Sequence, residues 1–394
     1  MKCELPIKRE FELAKHVVIL GLAGSKSYGT ETLKSDTDWK GVLIPPRRYY
    51  MSPFSNFEQT QWKSEVKSGR LSEQDGIEEA DEEGTIFSLD KFIKLSAACN
   101  PNVIELLFLN EEHYDIVTHE GRFLIEHRDL FLSERALYTF TGYAMSQLKR
   151  IRTHKSWLDK PILEKPTRAG YGLPEQRAMP RDQLQAARKL VDRNLMELAP
   201  WLLEVGNEYK EAFFEGLYNI VAVLAAEHKL DLPEADSWLD IEEQVRDAIA
   251  DRIGYDANFM EYLRKEKSYS QARTRYKQYQ SWVKHRNPAR AEIEARYGYD
   301  CKHAMHLVRL LRMGGEILET GAMQVYRPDR EELLEIRNGS WTYERLVEWG
   351  DAEVDRLNAL VADGKSVVPK KPPVNDLERI SIEVKEMFLS RCGD

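Results

Sequence analysis

The stretch of residues 16–44, HVVILGLAGSKSYGTETLKSDTDWKGVLI, constrains the fold more than any other part of the sequence. Two apolar runs, each long enough for a buried strand, are separated by a Gly24-Ser25 turn and a polar spacer. Asp36 and Asp38 open the second run. Because alternate side chains of a strand project from one face, both carboxylates are expected on the same side of a sheet.

This arrangement has a chemical meaning. Two carboxylates on one face can share hard divalent cations such as Mg2+, and the backbone N–H groups of a glycine turn can hold phosphate oxygens. Either feature alone is common in a chain with 66 acidic residues and is then usually structural. The ordered combination of strand, Gly-Ser, spacer, D-x-D and strand is far more specific. It predicts a nucleoside triphosphate that is bound through metal and attacked at phosphorus.

The composition bounds the class of protein. A length of 394 residues predicts two or three domains, and 42% hydrophobic with 31% charged residues is typical of soluble globular proteins. The sequence contains no apolar run of the roughly 18 residues that a membrane span needs, and its first residues lack the apolar core of a signal peptide. Four scattered cysteines without a C-x-x-C pair favour reduced thiols and a cytoplasmic location. The net charge of −9 argues against indiscriminate binding of polyanions, and no DNA sequence specificity is expected.

The pattern changes along the chain from mixed α/β to helical. The first part predicts strands at 16–23, 38–44 and 85–89, a short strand near 59–62, a long polar surface excursion at 52–83 and a helix in SLDKFIKLSAAC. From about residue 120, helix patterns dominate. The candidate helices are 120–129, 132–153, 180–198, 207–228, 239–249, 256–284, 287–296, 300–319, 329–336, 341–362 and 375–390.

Several segments together resemble a known family. Strand, Gly-Ser, spacer and D-x-D resemble the hG(G/S)…DhD signature of the DNA polymerase β superfamily of nucleotidyltransferases. Further segments resemble its predicted RNA-ligase-associated branch: GSKSYGTETLKSDTDWKGV, TIFSLDKFIKLSAACNPNVIELLF, FTGYAMSQLKR, GYDCKHAMHLVRLLRMGGEIL and RPDREELLEIRNGSWTYERL. The resemblance implies an α+β fold, with a small mixed-sheet nucleotidyltransferase domain at 1–118 and a larger, mostly α-helical acceptor-binding domain at 119–394.

The resemblance also implies a reaction and a metal site. An acceptor hydroxyl attacks the α-phosphate of an NTP and pyrophosphate leaves, assisted by two Mg2+ or Mn2+ ions. Asp36 and Asp38 would be catalytic metal ligands. The family needs a third carboxylate, for which Glu83 is the best positional match. The neighbouring Asp81 and Glu82 are rivals, and Glu105, in an otherwise apolar stretch, is the alternative.

The nucleotide is expected at the glycine turn. Gly24 and Ser25 would hold the triphosphate, and the residues that follow them are secondary candidates for the same ligand: Lys26, Ser27, Tyr28 and Thr30. Tyr28 could equally be a packed aromatic residue.

A second constellation lies on the predicted helix DCKHAMHLVRLL. On a helical wheel, four cationic or titratable residues share an arc of about 120° opposite Leu307, Val308 and Leu311. Such a face suits contact with phosphate or with the acceptor, although a helix packed through hydrogen-bonded histidines is the alternative. A zinc site is not expected, because no further ligand is evident near the two histidines. The four residues are Lys302, His303, His306 and Arg309.

The third feature is a concentration of positive charge. Residues 264–290 contain nine Lys or Arg against one acid, Glu266, interleaved with aromatic residues at Tyr269, Tyr276, Tyr279 and Trp282. Proteins hold single-stranded or looped RNA with cationic side chains that contact the phosphates and aromatic side chains that stack on the bases. Arg286 is therefore a further candidate acceptor contact. The alternative is a solvated helix whose aromatic residues face the core.

These features favour a metal-dependent nucleotidyltransferase acting on RNA, such as tRNA or a damaged RNA end. Two alternatives remain open at this stage. The acceptor could be a small molecule or a protein, or the chain could be a nucleotide- or RNA-binding module that does not catalyse. The second alternative would gain if neither Glu83 nor Glu105 approached Asp36 and Asp38.

Overall fold

The computed structural model describes residues 11–32, 35–64, 82–198, 238–286 and 288–392. The predicted helix 207–228 and the rival carboxylate Asp81 lie outside them. The chain divides into two compact units, one formed by Met1–Lys160 with Asn287–Asp394 and the other by Pro161–Arg286. This division differs from the predicted boundary after residue 118, because helices from both ends of the sequence join the sheet in one unit.

Five strands form one mixed sheet, in the order β3-β4-β2-β1-β5. Strands β2 and β4 are parallel and the other neighbouring pairs are antiparallel. The predicted strands are confirmed, but β4 begins three residues earlier than expected, which brings Glu83 into the sheet. The strand β5 was not predicted. The bounds are β1 Val17–Ala23, β2 Thr37–Leu43, β3 Gln59–Ser64, β4 Glu82–Ser88 and β5 Tyr114–Val117.

The predicted helices are confirmed wherever the structure describes them, with most ends within three residues of the prediction. The largest difference is α6, which continues six residues further than expected. The bounds are α1 Gly24–Tyr28, α2 Arg48–Met51, α3 Leu89–Ala97, α4 Pro101–Ile104, α5 His119–Glu126, α6 Arg135–Asp159, α7 Arg181–Leu198, α8 Trp238–Arg252, α9 Ala257–His285, α10 Pro288–Tyr297, α11 Cys301–Thr320, α12 Arg330–Arg337, α13 Tyr343–Ala362 and α14 Val374–Cys392.

The pleat of the sheet separates two cores. On one face, which we call the helix-covered face, Val42, Ile44 and Phe87 join the main core together with α3, α6 and α11. On the other face, Trp39 and Ile86 belong to a smaller cluster. Since side chains alternate along a strand, the even-numbered residues of β2 and the odd-numbered residues of β4 point to the helix-covered face.

The second unit contains α7, α8 and α9. Its buried carboxylate, Glu266 on α9, accepts a hydrogen bond from Tyr262 (2.9 Å) and pairs with Arg168 (2.5 Å). Burial alone would raise the pKa of Glu266, but the hydrogen bonds from Arg168 and Tyr262 lower it. Throughout the ranges that the structure describes, no helix combines the length and apolar character of a membrane span.

Candidate active site

Asp38 and Glu83 lie side by side on neighbouring strands. They are register partners in the parallel β2–β4 pair, so their Cα atoms are separated by about one strand spacing, roughly 4.8 Å, and their side chains share the helix-covered face. Asp36 immediately precedes β2 with the same parity and is exposed. The pKa of Asp38 is raised, first by burial and then by the negative charge of Glu83. The negative charge of Asp36 raises it further. Asp38 and Glu83 are thus neighbours on one face of the sheet, and Asp36 stands just before the same strand.

This group of side chains fits a hard divalent cation. Carboxylate oxygens are the ligands that Mg2+ and Mn2+ prefer, and a cation would relieve the repulsion that raises the pKa of Asp38. Lys40 and Lys302 already oppose that repulsion with their positive charges. Asp36, Asp38 and Glu83 are therefore the residues that could hold the metal.

Gly24 brings the glycine turn against this carboxylate group. Its φ is +66°, and a Cβ atom placed on it would lie 2.2 Å from Oδ2 of Asp38. Only glycine allows both this backbone conformation and this close approach. The turn continues into α1, where the Ser27 hydroxyl donates to the carbonyl oxygen of Gly24 (2.9 Å). Ser25 and Lys26 are half-buried on α1, and the Lys26 ammonium donates to the Thr37 hydroxyl.

A buried ion pair supports α1. Tyr28 is 3% exposed, and its hydroxyl donates to Glu105 at 2.6 Å. Arg309 on α11 donates to the same carboxylate at 2.7 Å, with its guanidinium carbon 3.7 Å from the centre of the Tyr28 ring. Burial raises the pKa of the Tyr28 hydroxyl. The carboxylate of Glu105 and the guanidinium of Arg309 therefore neutralise each other inside the protein.

The C-terminal motif RPDREELLEIR holds the other side of the α1 turn. The backbone N–H of Arg327 donates to the carbonyl oxygen of Tyr28 (3.1 Å), and the Arg337 guanidinium donates to the carbonyl oxygen of Thr30 (3.0 Å). Thr30 itself is fully buried. The secondary nucleotide candidates Tyr28 and Thr30 thus lie within the packed support of the turn, and Gly24 and Tyr28 border the cavity described next.

A cavity of about 940 Å3 opens over Asp38 and Glu83. The sheet side of its wall includes Asp38, Lys40 and Glu83, and the opposite wall is formed by α6 and α11. Lys40 was not predicted as a site residue, although it follows Asp36 and Asp38 in the same alternation and so shares their face. Burial lowers the pKa of Lys40.

The helix α11 contributes part of the predicted cationic face. His303 and His306 line the cavity, and the charge of Lys302 acts on Asp38. The sequence showed no further metal ligand beside His303 and His306, but the fold brings such side chains close to His303. His303 Nε2 is 3.5 Å from Oδ2 of Asp300, and Asp300, Glu294 and His154 have ligand atoms within 4.8 Å of one another. Asp300 also caps α11 by accepting the backbone N–H groups of residues 302 and 303.

The basic segment lies mainly on α9, in the second compact unit. Its aromatic residues are partly engaged in packing: Tyr279 is buried, and Tyr269 lies beneath the guanidinium of Arg168. Arg286 follows α9, with its guanidinium carbon 4.6 Å from the Trp282 ring centre. The exposed cations on this helix are Lys267, Arg273, Arg275, Lys277 and Lys284.

Comparison with known proteins identifies the family. Residues 6–214, more than half of the chain, match the model of the RNA repair pathway DNA polymerase beta family. Neither the curated proteins nor the solved structures contain a match. The match includes the glycine turn, Asp36, Asp38 and Glu83, and it supports nucleotidyltransferase activity with a role in RNA repair. The chain belongs to the RNA repair pathway DNA polymerase beta family.

Proposed function

We propose that this protein transfers a nucleoside monophosphate from an NTP to a hydroxyl group of RNA and releases pyrophosphate. The observation that carries the proposal is the in-register pairing of Asp38 with Glu83, with the backbone of Gly24 against Asp38. Asp36, Asp38 and Glu83 would hold Mg2+ or Mn2+. When bound, the metal would stabilise negative charge on the attacking and leaving oxygens.

The reaction assigns a task to each part of the site. The acceptor hydroxyl oxygen forms a bond to the α-phosphorus, and the bond between that phosphorus and the oxygen bridging to the β-phosphate breaks. Pyrophosphate leaves with the electron pair, and Glu83 accepts the hydroxyl proton. The glycine turn at Gly24 and Ser25 holds the departing phosphates, while Lys302 supplies positive charge from α11 and His306 lines the cavity beside it. Positioning and charge stabilisation account for most of the catalysis in such reactions.

The charge of the cavity favours RNA over the other acceptors. Beyond the carboxylate group, its wall carries Lys40, Lys63 and Arg150 as well as two histidines. A cationic small molecule would meet these positive charges, whereas the phosphates of RNA would be attracted to them. The packed α1 support and the pairing of Asp38 with Glu83 argue for catalysis over simple binding.

A transfer assay tests the proposal. The full chain is incubated with each α-32P-labelled NTP, Mg2+ or Mn2+, and separate pools of tRNA, total RNA and lysate protein. We expect label in RNA with the wild-type protein and none with the Asp36→Ala, Asp38→Ala double variant. Asp159→Asn, which removes an exposed carboxylate on α6, is the control and is expected to be fully active. Label in protein, or no metal-dependent label in RNA, would contradict the proposal.

A further inference from the structure

One face of α6 forms a wall of the cavity. Tyr143, Ser146, Gln147 and Arg150 all line it, at the spacing i, i+3, i+4 and i+7. This spacing places them on one side of a helix. The apolar residues of the same helix are buried on another side, where α6 packs along α11: Phe140, Ala144, Leu148 and Ile151. We call these four cavity-lining residues the α6 row.

The order of the strands determines what the α6 row faces. Across the helix-covered face, the sheet runs from β3 through β4 and β2 to β1, and the glycine turn follows β1. If the departing phosphates lie at that turn, the attacking hydroxyl lies on the opposite side of the α-phosphorus, because attacking and leaving oxygens are roughly in line. That side is the region over β4 and β3.

Polar side chains of β3 and β4 form the floor of this region. Lys63 is the register partner of Glu83, and Gln61 is the register partner of Thr85, so all four share the helix-covered face. All four also line the cavity. The space beside Glu83 is therefore bounded by Lys63 and Gln61 below and by the α6 row above.

The α6 row has the chemistry of a contact for nucleic acid. Arg150 is exposed and makes no ion pair with any carboxylate in the described parts of the chain, so its charge is available to a ligand. The Tyr143 side chain is 36% exposed, and its hydroxyl accepts a hydrogen bond from the Asn100 amide (3.3 Å). A positioned aromatic ring suits base stacking, and an unpaired guanidinium suits a phosphate.

We propose that the α6 row, with Lys63 across the cavity, is the subsite for a single-stranded RNA end. A base stacks on Tyr143, Arg150 and Lys63 contact the phosphates, and the terminal hydroxyl lies over Glu83. A cavity of about 940 Å3 is at the upper end of the range for ligand pockets, roughly 300–1,000 Å3, and a single strand end needs less room in it than a duplex. This inference rests on the proposed function and specifies its acceptor.

Steady-state transfer with single-stranded RNA and with a blunt RNA duplex tests the subsite. Arg150→Ala should raise the KM for single-stranded RNA by about 10-fold or more and leave the KM for NTP unchanged. Tyr143→Ala should raise the RNA KM by about 5- to 100-fold, while Tyr143→Phe stays near wild type. The controls remove the same groups from α6 outside the row: Lys149→Ala for charge and Tyr138→Ala for an exposed aromatic ring. Both should change the RNA KM less than about twofold.

Three results would overturn the subsite. These are a rise in the NTP KM in place of the RNA KM, equal effects of Lys149→Ala and Arg150→Ala, or a blunt duplex used as well as a single strand. Binding of a fluorescent RNA oligonucleotide, measured by anisotropy without NTP, separates the two proposals. If RNA binding is weakened by Arg150→Ala and not by Lys149→Ala, but the wild type transfers nothing, the subsite stands and the proposed function fails. If the wild type does not bind RNA, the subsite is wrong.

Discussion

Substitution of Gly24 by alanine should disable the active site more than it destabilises the fold. Two separate effects are expected from the structure. A residue with a Cβ pays about 1–2 kcal/mol at a φ of +66°. The new Cβ would also lie 2.2 Å from Oδ2 of Asp38, so the carboxylate or the turn must move by about 1.2 Å to reach the ordinary contact distance of 3.4 Å.

The two effects have different readouts. The backbone cost should lower the melting temperature by about 2–4 °C per kcal/mol for a unit of this size. A shift of about 1 Å in a catalytic group can cost about 100-fold in rate, so kcat for nucleotidyl transfer should fall by that order. Circular dichroism melting and the α-32P transfer assay measure the two quantities on the same preparation.

Gly364 provides a closely matched control. Its φ is +68°, and a Cβ there would meet no atom within 4 Å. Gly364→Ala should therefore lose similar stability and keep its full kcat. If Gly24→Ala lost no more activity than Gly364→Ala, the close approach of the turn to Asp38 would have no role in catalysis, and the reasoning would be refuted.

Three further predictions follow from the carboxylates. Glu83→Gln should reduce transfer by more than about 100-fold with little change in melting temperature, since the side chain is exposed. If the Glu83→Gln variant were active, Glu83 would not be a catalytic residue. Glu105→Gln should cost about 3–5 kcal/mol in urea unfolding, because Arg309 then keeps a buried charge without its counter-ion; unchanged stability would refute this. Burial alone would raise the pKa of Asp329, but hydrogen bonds from Arg312 and a second arginine lower it, so its ionised form stabilises the fold above about pH 3.9. The stability difference between wild type and Asp329→Asn should shrink as the pH falls below that value, and a difference independent of pH would contradict the ion pairing.

The elements that the sequence predicts best are those with long, regular patterns. The helices α9 and α11 are found within one residue of the predicted ends, because the residues at their caps are local signals, and α11 also has a regular apolar face. The strand β5 has only four residues and is half-buried throughout, so it carries no alternating pattern to detect. Its place at the sheet edge comes from pairing with β1, which is a long-range contact.

The site shows the same contrast between local and long-range information. The shared face of Asp36 and Asp38 follows from strand alternation, and the same rule would have identified Lys40. The local sequence could not decide whether Glu83 or Glu105 is the third carboxylate. Glu105 is engaged by Arg309, 204 residues away in sequence, and Glu83 meets Asp38 only through the register of two strands.

Helix rotation explains the remaining difference at the site. A helical wheel places Arg309 with the cationic residues of α11, but it does not show which way the helix turns in the fold. Arg309 lies at the edge of that arc and pairs with Glu105 under the Tyr28 ring, so its charge is neutralised although it borders the cavity together with His303 and His306. The α6 row lies in the family-like segment FTGYAMSQLKR, and Arg150 in a basic segment of the sequence, but no local pattern shows that these residues form a wall opposite the sheet.

The central claim is that Asp36, Asp38 and Glu83 form one metal site for nucleotidyl transfer. Its most direct test is Mn2+ binding, followed by electron paramagnetic resonance, in the presence of an NTP analogue that cannot be cleaved between the α- and β-phosphates. The wild-type protein should bind Mn2+ tightly, and the Asp36→Asn, Asp38→Asn, Glu83→Gln variant should lose this binding while its circular dichroism melting curve shows a folded protein. Equal Mn2+ affinity in the wild type and this folded variant would contradict the account.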